Sequence, residues 1–212
     1  MSTQVTQVQT SVLNLLEERH SVRDYEVGHK FPKADLEKLL TTAATAPSAW
    51  NLQHWKLLVI EDEAQKEKLL PIAYGQQQIT QSSVVIAVLG DLEANKNAEI
   101  VHGAAVAAGM MPQELKDGMA AQIEAAYQDP QTARDSADSN AGLISMQLMI
   151  TAKAIGYDTC PMGGFDKTQF VETFNVPARY APVMLITVGL ATKPGHPSNR
   201  LALDQFTVSN SF

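Results

Sequence analysis

The stretch from Ser139 to Ile155 constrains the fold of this chain more than any other. Ile144, Leu148, Ala152 and Ile155 form one stripe at helical spacing, and Leu143, Met146, Met149 and Ile150 fill its sides. A helix this apolar is buried on most faces, either in a core or across a subunit interface. Gly156 is its natural C-terminal cap, because glycine enters the left-handed region without a Cβ penalty. Any architecture has to be assembled around this helix.

The remaining elements fall before and after it. Val8, Val12, Leu15 and Leu16 predict a first helix from about Gln7 to His20. Phe31-Pro32-Lys33-Ala34-Asp35-Leu36 opens a second, with Pro32 suited to the first helical position. Leu36, Leu39, Leu40 and Ala43 mark its buried face, and Pro47 stops it. Trp55 to Ile60 reads as a strand, and Glu61-Asp62-Glu63 begins the next helix with acid at its N-terminus. Val84 to Leu89 is a Val- and Ile-rich strand buried on both faces. Tyr157 to Pro161 is a short strand, Thr168 to Phe174 a short helix, and Ala181 to Leu190 a strand with a nearly continuous apolar run.

Two segments differ in character. Asp91 to Arg134 is rich in Ala, Met, Gln and acids, with Gly103, Gly109, Pro112 and Gly118 as punctuation. It reads as two or three helical pieces outside the central core. From Thr192 the chain is loop-like, then Leu201, Leu203, Phe206 and Val208 appear at roughly alternate spacing. An apolar tail must be covered, and a partner subunit is the natural cover. Strict alternation of helix and strand breaks in the middle. The expectation is one α+β domain over residues 1–212, with an excursion at 91–134 and an arm at 192–212.

The 212 residues carry a net charge of −7 and a sequence pI of about 5.2. A broad nucleic-acid surface needs clustered excess Lys and Arg, so that class is set aside, while a local basic pocket is not. Cys160 is the single cysteine, so no intrachain disulfide can form. Met1 to Thr10 is polar and lacks the apolar segment of a signal peptide. No apolar run approaches the ~20 residues of a membrane helix. A cytoplasmic protein without membrane or nucleic-acid partners is expected.

Four short stretches hold polar groups in unusual settings. Arg19-His20-Ser21-Val22-Arg23 packs two arginines, a histidine and a hydroxyl into one turn of chain. Arginine's planar fork matches phosphate oxygens two at a time, and serine adds a donor. The same cluster also reads as a solvated helix end, where cations are favourable anyway. Ala46-Pro47-Ser48-Ala49-Trp50-Asn51-Leu52-Gln53-His54-Trp55 is a turn full of hydrogen-bonding groups between helix and strand. Cys160-Pro161-Met162-Gly163-Gly164-Phe165-Asp166 ends a strand, and its paired glycines let backbone approach something flat. Ser198-Asn199-Arg200 follows the last strand.

In this order the four stretches resemble the nitroreductase family of FMN-dependent flavoproteins. Arg19-x-Ser21-x-Arg23 is similar to the family's phosphate motif. Ala46-Pro47-Ser48 with Asn51, Gln53 and Trp55 is similar to its second motif, and Pro161, Gly163 and Gly164 with Phe165-Asp166 to its third. The resemblance implies a nitroreductase-like fold, with a central mixed sheet flanked by helices, in an intertwined homodimer with FMN at the interface. It implies that Arg19, His20, Ser21 and Arg23 hold the phosphate and ribityl chain, and that Arg200 reaches the same phosphate. Pro47, Ser48, Ala49 and Asn51 would approach the flavin of the other subunit. Pro161, Met162, Gly163 and Gly164 would lie along the ring, with Gln76 of Gly75-Gln76-Gln77-Gln78 at its pyrimidine edge.

The sequence departs from the family pattern at four places. Ala49 stands where a second hydroxyl is common, His54 where Pro often precedes Trp55, Gly163 where some members carry Glu, and Ser198 where Lys is frequent. Losing that Lys leaves more of the phosphate charge to Arg19 and Arg23.

The implied reaction is a ping-pong hydride transfer from NAD(P)H through FMN to a small flat acceptor such as a nitroaromatic or quinone, with no catalytic acid or base and no metal. The 91–134 segment is the candidate lid. Three alternatives remain open. One is an FMN-binding store or sensor without turnover. Another is a relative that deiodinates tyrosines or fragments FMN. The last is a structural helical dimer. Trp55 reads as a core anchor, and Trp50 as either an anchor or a wall of the pocket. His29, His102 and His196 read as surface or satisfied core residues, and Cys160 as packing.

Overall fold

A computed structural model describes residues 11–212. Residues 11–18 form the described part of helix α1, and the Gln7 to Thr10 portion of the expected first helix lies outside the described residues. Then come α2 (Lys33–Ala43), β1 (Trp55–Ile60), α3 (Glu63–Ile72), α4 (Gln78–Gln81) and β2 (Val84–Asp91). The middle of the chain holds α5 (Ala98–Ala107), α6 (Gln113–Ala126) and α7 (Pro130–Ala154). Strand β3 (Asp158–Met162), α8 (Lys167–Thr173), β4 (Tyr180–Gly189) and a short α9 (Leu203–Phe206) complete it.

The strands form one sheet in the order β1-β2-β4-β3. The sheet is antiparallel at every ladder, which corrects the expected mixed sheet. Among the described residues, parallel pairing is confined to an isolated bridge between Ser21 and Thr159.

Strand β2 is buried along its whole length, and its alternate residues serve two cores. Val84, Ile86 and Val88 pack with Leu39 and Ala43 of α2 and with Ile144, Leu148 and Ala152 of α7. Val85, Ala87 and Leu89 pack on the other face with Leu69, Ile79, Phe165 and Phe170. A third, smaller cluster joins Leu52 to Ala94, Ala98 and Ile123 of the excursion.

Helix α7 starts nine positions before Ser139, at Pro130. The Asp129 carboxylate accepts from the amides of Gln131 and Thr132, and Pro130 sits in the first turn. This half carries no large apolar stripe. Its buried contacts are small, Ala133 and Ala137, and Gly90 of β2 lets it come close. A Cβ on Gly90 would lie 3.0 Å from the Ala137 Cβ. At the other end Gly156 has φ +92°, and the amides of Gly156 and Tyr157 donate to the carbonyls of Lys153 and Ala152. That pairing is a Schellman stop. Pro32 is the N-cap of α2 rather than its first helical residue.

Candidate functional site

Residues 19–23 leave α1 as extended chain beside β3. Ser21 bridges Thr159, and the Val22 amide donates to the Thr159 carbonyl at 3.0 Å. Extended backbone points alternate residues to opposite sides. Val22 is buried in the protein, while Arg19, His20, Ser21 and Arg23 all line one cavity. Tyr25 anchors the segment. It is buried, and its hydroxyl meets the Thr187 Oγ1 at 2.9 Å.

The chain beyond β4 returns to this segment. Tyr25 bridges Ala191, the Thr192 amide donates to the Asp24 carbonyl, and Lys193 pairs with Asp24 at 3.0 Å. Gly195 then passes so close that a Cβ on it would lie 2.5 Å from the His20 Cβ and 3.1 Å from the Ser21 carbonyl oxygen. The result is a cavity of about 300 Å³ lined by Arg19, His20, Ser21, Arg23, His196, Pro197, Ser198 and Arg200. Two segments far apart in sequence, 19–23 and 196–200, meet there. Gly195, His196 and Pro197 are additions to the residues expected from sequence; their signal was their position directly before Ser198.

This pocket is cationic. Among the described residues none of its three arginines forms an ion pair with a carboxylate. The Arg19 Nε is buried with no hydrogen-bond partner. The Arg200 Nη1 donates to the Ser198 Oγ at 2.6 Å, which fixes its guanidinium on the pocket rim. Arg19 is otherwise half-exposed and lines the cavity with no carboxylate beside it among the described residues, so an anion there is favoured.

The third stretch continues from the same edge strand. Pro161 and Met162 end β3, and Gly163 and Gly164 follow with exposed backbone. Neither glycine has positive φ, and a Cβ on Gly163 would meet nothing within 4 Å. The fold of the chain therefore does not require glycine here. What glycine provides is a bare backbone face with room above it. The Met162 side chain turns inward, where its sulfur receives the Gln78 amide, so only its backbone faces that room. Gln76 joins this group, its Nε2 donating to the Gly164 carbonyl at 2.9 Å and to Ala73 at 3.0 Å.

The second stretch lies elsewhere. It precedes β1, at the edge of the sheet opposite β3. Three inter-strand steps, roughly 14 Å, separate the two edges. Pro47, Ala49 and Asn51 are exposed and Ser48 is half-buried, so they face away from their own chain. Trp50, Asn51 and Gln53 have φ of 49°, 55° and 52°. Left-handed backbone costs a side chain-bearing residue about 1 kcal/mol or more each time, so the surroundings must hold this loop. The Ser48 Oγ accepts from the Gln53 amide, and the Asn140 Oδ1 from the Ala49 amide, each at 2.9 Å. Asn140 was not apparent in the sequence, since it looks like one polar residue on an apolar helix.

Behind this loop is a buried polar cluster. His54 is fully buried with both ring nitrogens unpartnered, its ring stacked 6.4 Å from that of Tyr127. Burial lowers the His54 pKa against the opposing pull of Asp91, and pushes the Tyr127 hydroxyl up to about 12. Asp91 forms a bidentate pair with Arg179, at 2.7 and 2.6 Å. Trp50 packs on the excursion cluster, and Trp55 on the main core. Cys160 is buried, which raises its pKa and fits packing rather than reactivity. Among the described residues no three His, Cys, Asp or Glu gather as a metal site. No described helix is long and apolar enough to cross a membrane.

Residues 16–190 match the model of the Nitroreductase family. The chain belongs to the nitroreductase family. Its sequence is 50% identical over 196 residues to YodC of Bacillus subtilis, assigned as an NAD(P)H nitroreductase, covering 92% of this chain and 97% of the relative. Two crystal structures share the fold. A Staphylococcus epidermidis protein assigned as an NAD(P)H:FMN oxidoreductase superposes with TM-score 0.89 at 32% identity, over 93% of this chain and 94% of the other. An Exiguobacterium sibiricum protein assigned as a nitroreductase, solved in complex with FMN, superposes with TM-score 0.88 at 39% identity, over 93% and 96%.

Proposed function

We propose that this nitroreductase-family chain is an FMN-dependent oxidoreductase that uses NAD(P)H to reduce nitroaromatics, quinones or similar flat acceptors, and that it acts as a homodimer. The observation that carries the reading is the cationic pocket closed by residues 19–23 and 196–200. Two features of the chain fit FMN. The Arg19 Nε is buried and lacks an acceptor, and the glycine pair offers bare backbone that the fold itself does not demand.

In this reading Arg19, Arg23 and Arg200 bind the phosphate, Ser21 donates a hydroxyl hydrogen bond, and His20 lies alongside. Pro161 to Gly164 present main chain to the ring, and Gln76 stands at its pyrimidine edge. When bound, FMN supplies a two-electron carrier that takes hydride from NAD(P)H and passes it on, so the chain needs position and electrostatics more than an acid or base. Backbone N–H groups near Gly163 and Gly164 would favour added negative charge on a neighbouring group. Pro47, Ser48, Ala49 and Asn51 face outward at the far sheet edge, which suits a role at the cofactor of a second copy.

The 91–134 excursion is the lid over the acceptor side. Exchanging it with the same segment of a relative moves acceptor preference; unchanged preference would rule the lid out. The function itself is tested by the absorption spectrum of the purified protein, before and after NADPH under anaerobic conditions, then by NADPH oxidation with a nitroaromatic or quinone. Bleaching of a flavin spectrum followed by turnover is expected. A flavin that is bound but never reduced would leave a store or sensor, and a colourless protein indifferent to added FMN would leave neither.

A further inference from the structure

We propose that Asn97 and His102, on the helical excursion, are positioning residues that hold the left-handed Trp50–Gln53 loop in the shape it presents to the cofactor site. The inference rests on the FMN reading above, because only that reading gives the outward face of this loop a ligand.

The loop is strained at three residues, yet its own side chains supply little to hold it beyond the bond from the Gln53 amide to Ser48. Two of its carbonyls are instead taken by the excursion. The His102 Nε2 lies 2.9 Å from the Trp50 carbonyl, and the Asn97 Nδ2 donates to the Leu52 carbonyl at 2.9 Å. A carbonyl can only accept, so the proton of His102 is on Nε2. Its Nδ1 is buried without a partner among the described residues, so Nε2 makes the ring's hydrogen bond.

Asn97 is oriented in turn. Its Oδ1 accepts from the Arg179 Nη2 at 2.9 Å, and its Nδ2 donates to the Leu52 carbonyl and, at 3.4 Å, to the Asp91 Oδ2. Arg179 is fixed by its two bonds to the buried carboxylate of Asp91. A line of charged and amide groups thus runs from β4's entry loop to the backbone between Ala49 and His54. Both clamps start from residues flanking or within α5, the first helix of the excursion. Movement of that helix is therefore passed to the loop through two hydrogen bonds to its main chain.

The test uses His102→Ala, Asn97→Ala and the conservative His102→Gln. FMN affinity is read by quenching of FMN fluorescence, loop order by amide exchange over residues 49–53, and turnover by NADPH oxidation with 1,4-benzoquinone. Each alanine variant is expected to raise the FMN Kd about fivefold, the worth of one typical hydrogen bond. Faster exchange at 49–53 and unchanged exchange in the sheet go with it, and turnover at subsaturating FMN falls with the affinity. His102→Gln, which can still donate, should recover most of the affinity. Wild-type protein that takes up no FMN overturns both readings. Wild type that binds FMN, with alanine variants equal to it in Kd and in exchange at 49–53, overturns this inference alone. A variant that also loses protection throughout the sheet, with no rescue by His102→Gln, assigns the two residues to general stability and overturns it as well.

Discussion

Arg19 carries the most specific expectation at the scale of single residues. It lines the cationic cavity and, among the described residues, has no carboxylate partner. A charged hydrogen bond is worth roughly 1.5–3 kcal/mol. Arg19→Ala should therefore weaken FMN binding by about tenfold to a hundredfold, measured by fluorescence titration. Undiminished binding would sink the assignment of this pocket. His54 gives a pH dependence. Burial lowers its pKa in the folded state, so the unfolded chain binds a proton more readily just below the ordinary value of 6.5. Stability is then complete above that value and is lost as pH falls toward the depressed one. Urea unfolding at a series of pH values between 7.5 and 5 should show the loss, and His54→Phe should flatten it. Arg19, Ser21 and Arg23 stood out in the sequence by residue type, two arginines and a hydroxyl within five positions; that the helix ends before Arg19 and the chain runs extended beside β3 did not, because the expected first helix reached His20. His54 was legible only as a departure from a motif; its burial against Tyr127 depends on a helix many residues away.

At the scale of elements, the arm after β4 decides whether the pocket exists. Gly195 is the point of closest approach, where any side chain would meet His20 and Ser21. Gly195→Ala should lift the arm, move Arg200 away and reduce FMN affinity severalfold, while thermal unfolding of the sheet changes little. Equal affinity in this variant would show that the arm is not part of the binding site. The elements themselves were mostly readable. Periodicity placed α2, the apolar half of α7 and the four strands within a few residues of where they stand. The polar start of α7 was missed because its buried face is alanine, which produces no hydrophobic stripe. The antiparallel sheet was missed because strand direction is set by where the connecting helices leave the chain, not by strand composition.

The whole molecule leaves apolar surface without cover. Leu201, Leu203, Phe206 and Val208 are all more than half exposed, as are Val12 and Leu13 of α1. Large apolar side chains exposed to this degree fit the proposed cover by a second copy. The homodimer reading predicts sedimentation of the wild type at twice the chain mass, about 46 kDa from 2 × 23.0 kDa. The double variant Leu203→Asp with Phe206→Asp should sediment as a monomer and lose FMN together with its dimer. A monomer that keeps its flavin would contradict completion of the site by a second copy.

Local spacing was enough to show the fully buried β2 strand, the end of the long helix, and two arginines close enough together to suit a phosphate, because each depends on neighbours a few positions apart. Tertiary structure decided that residues 196–200 close over residues 19–23, and that the Ser48 loop stands at the opposite sheet edge. Both follow from strand order and pairing. Those are fixed by contacts between residues far apart in the chain, and local spacing carries no record of them.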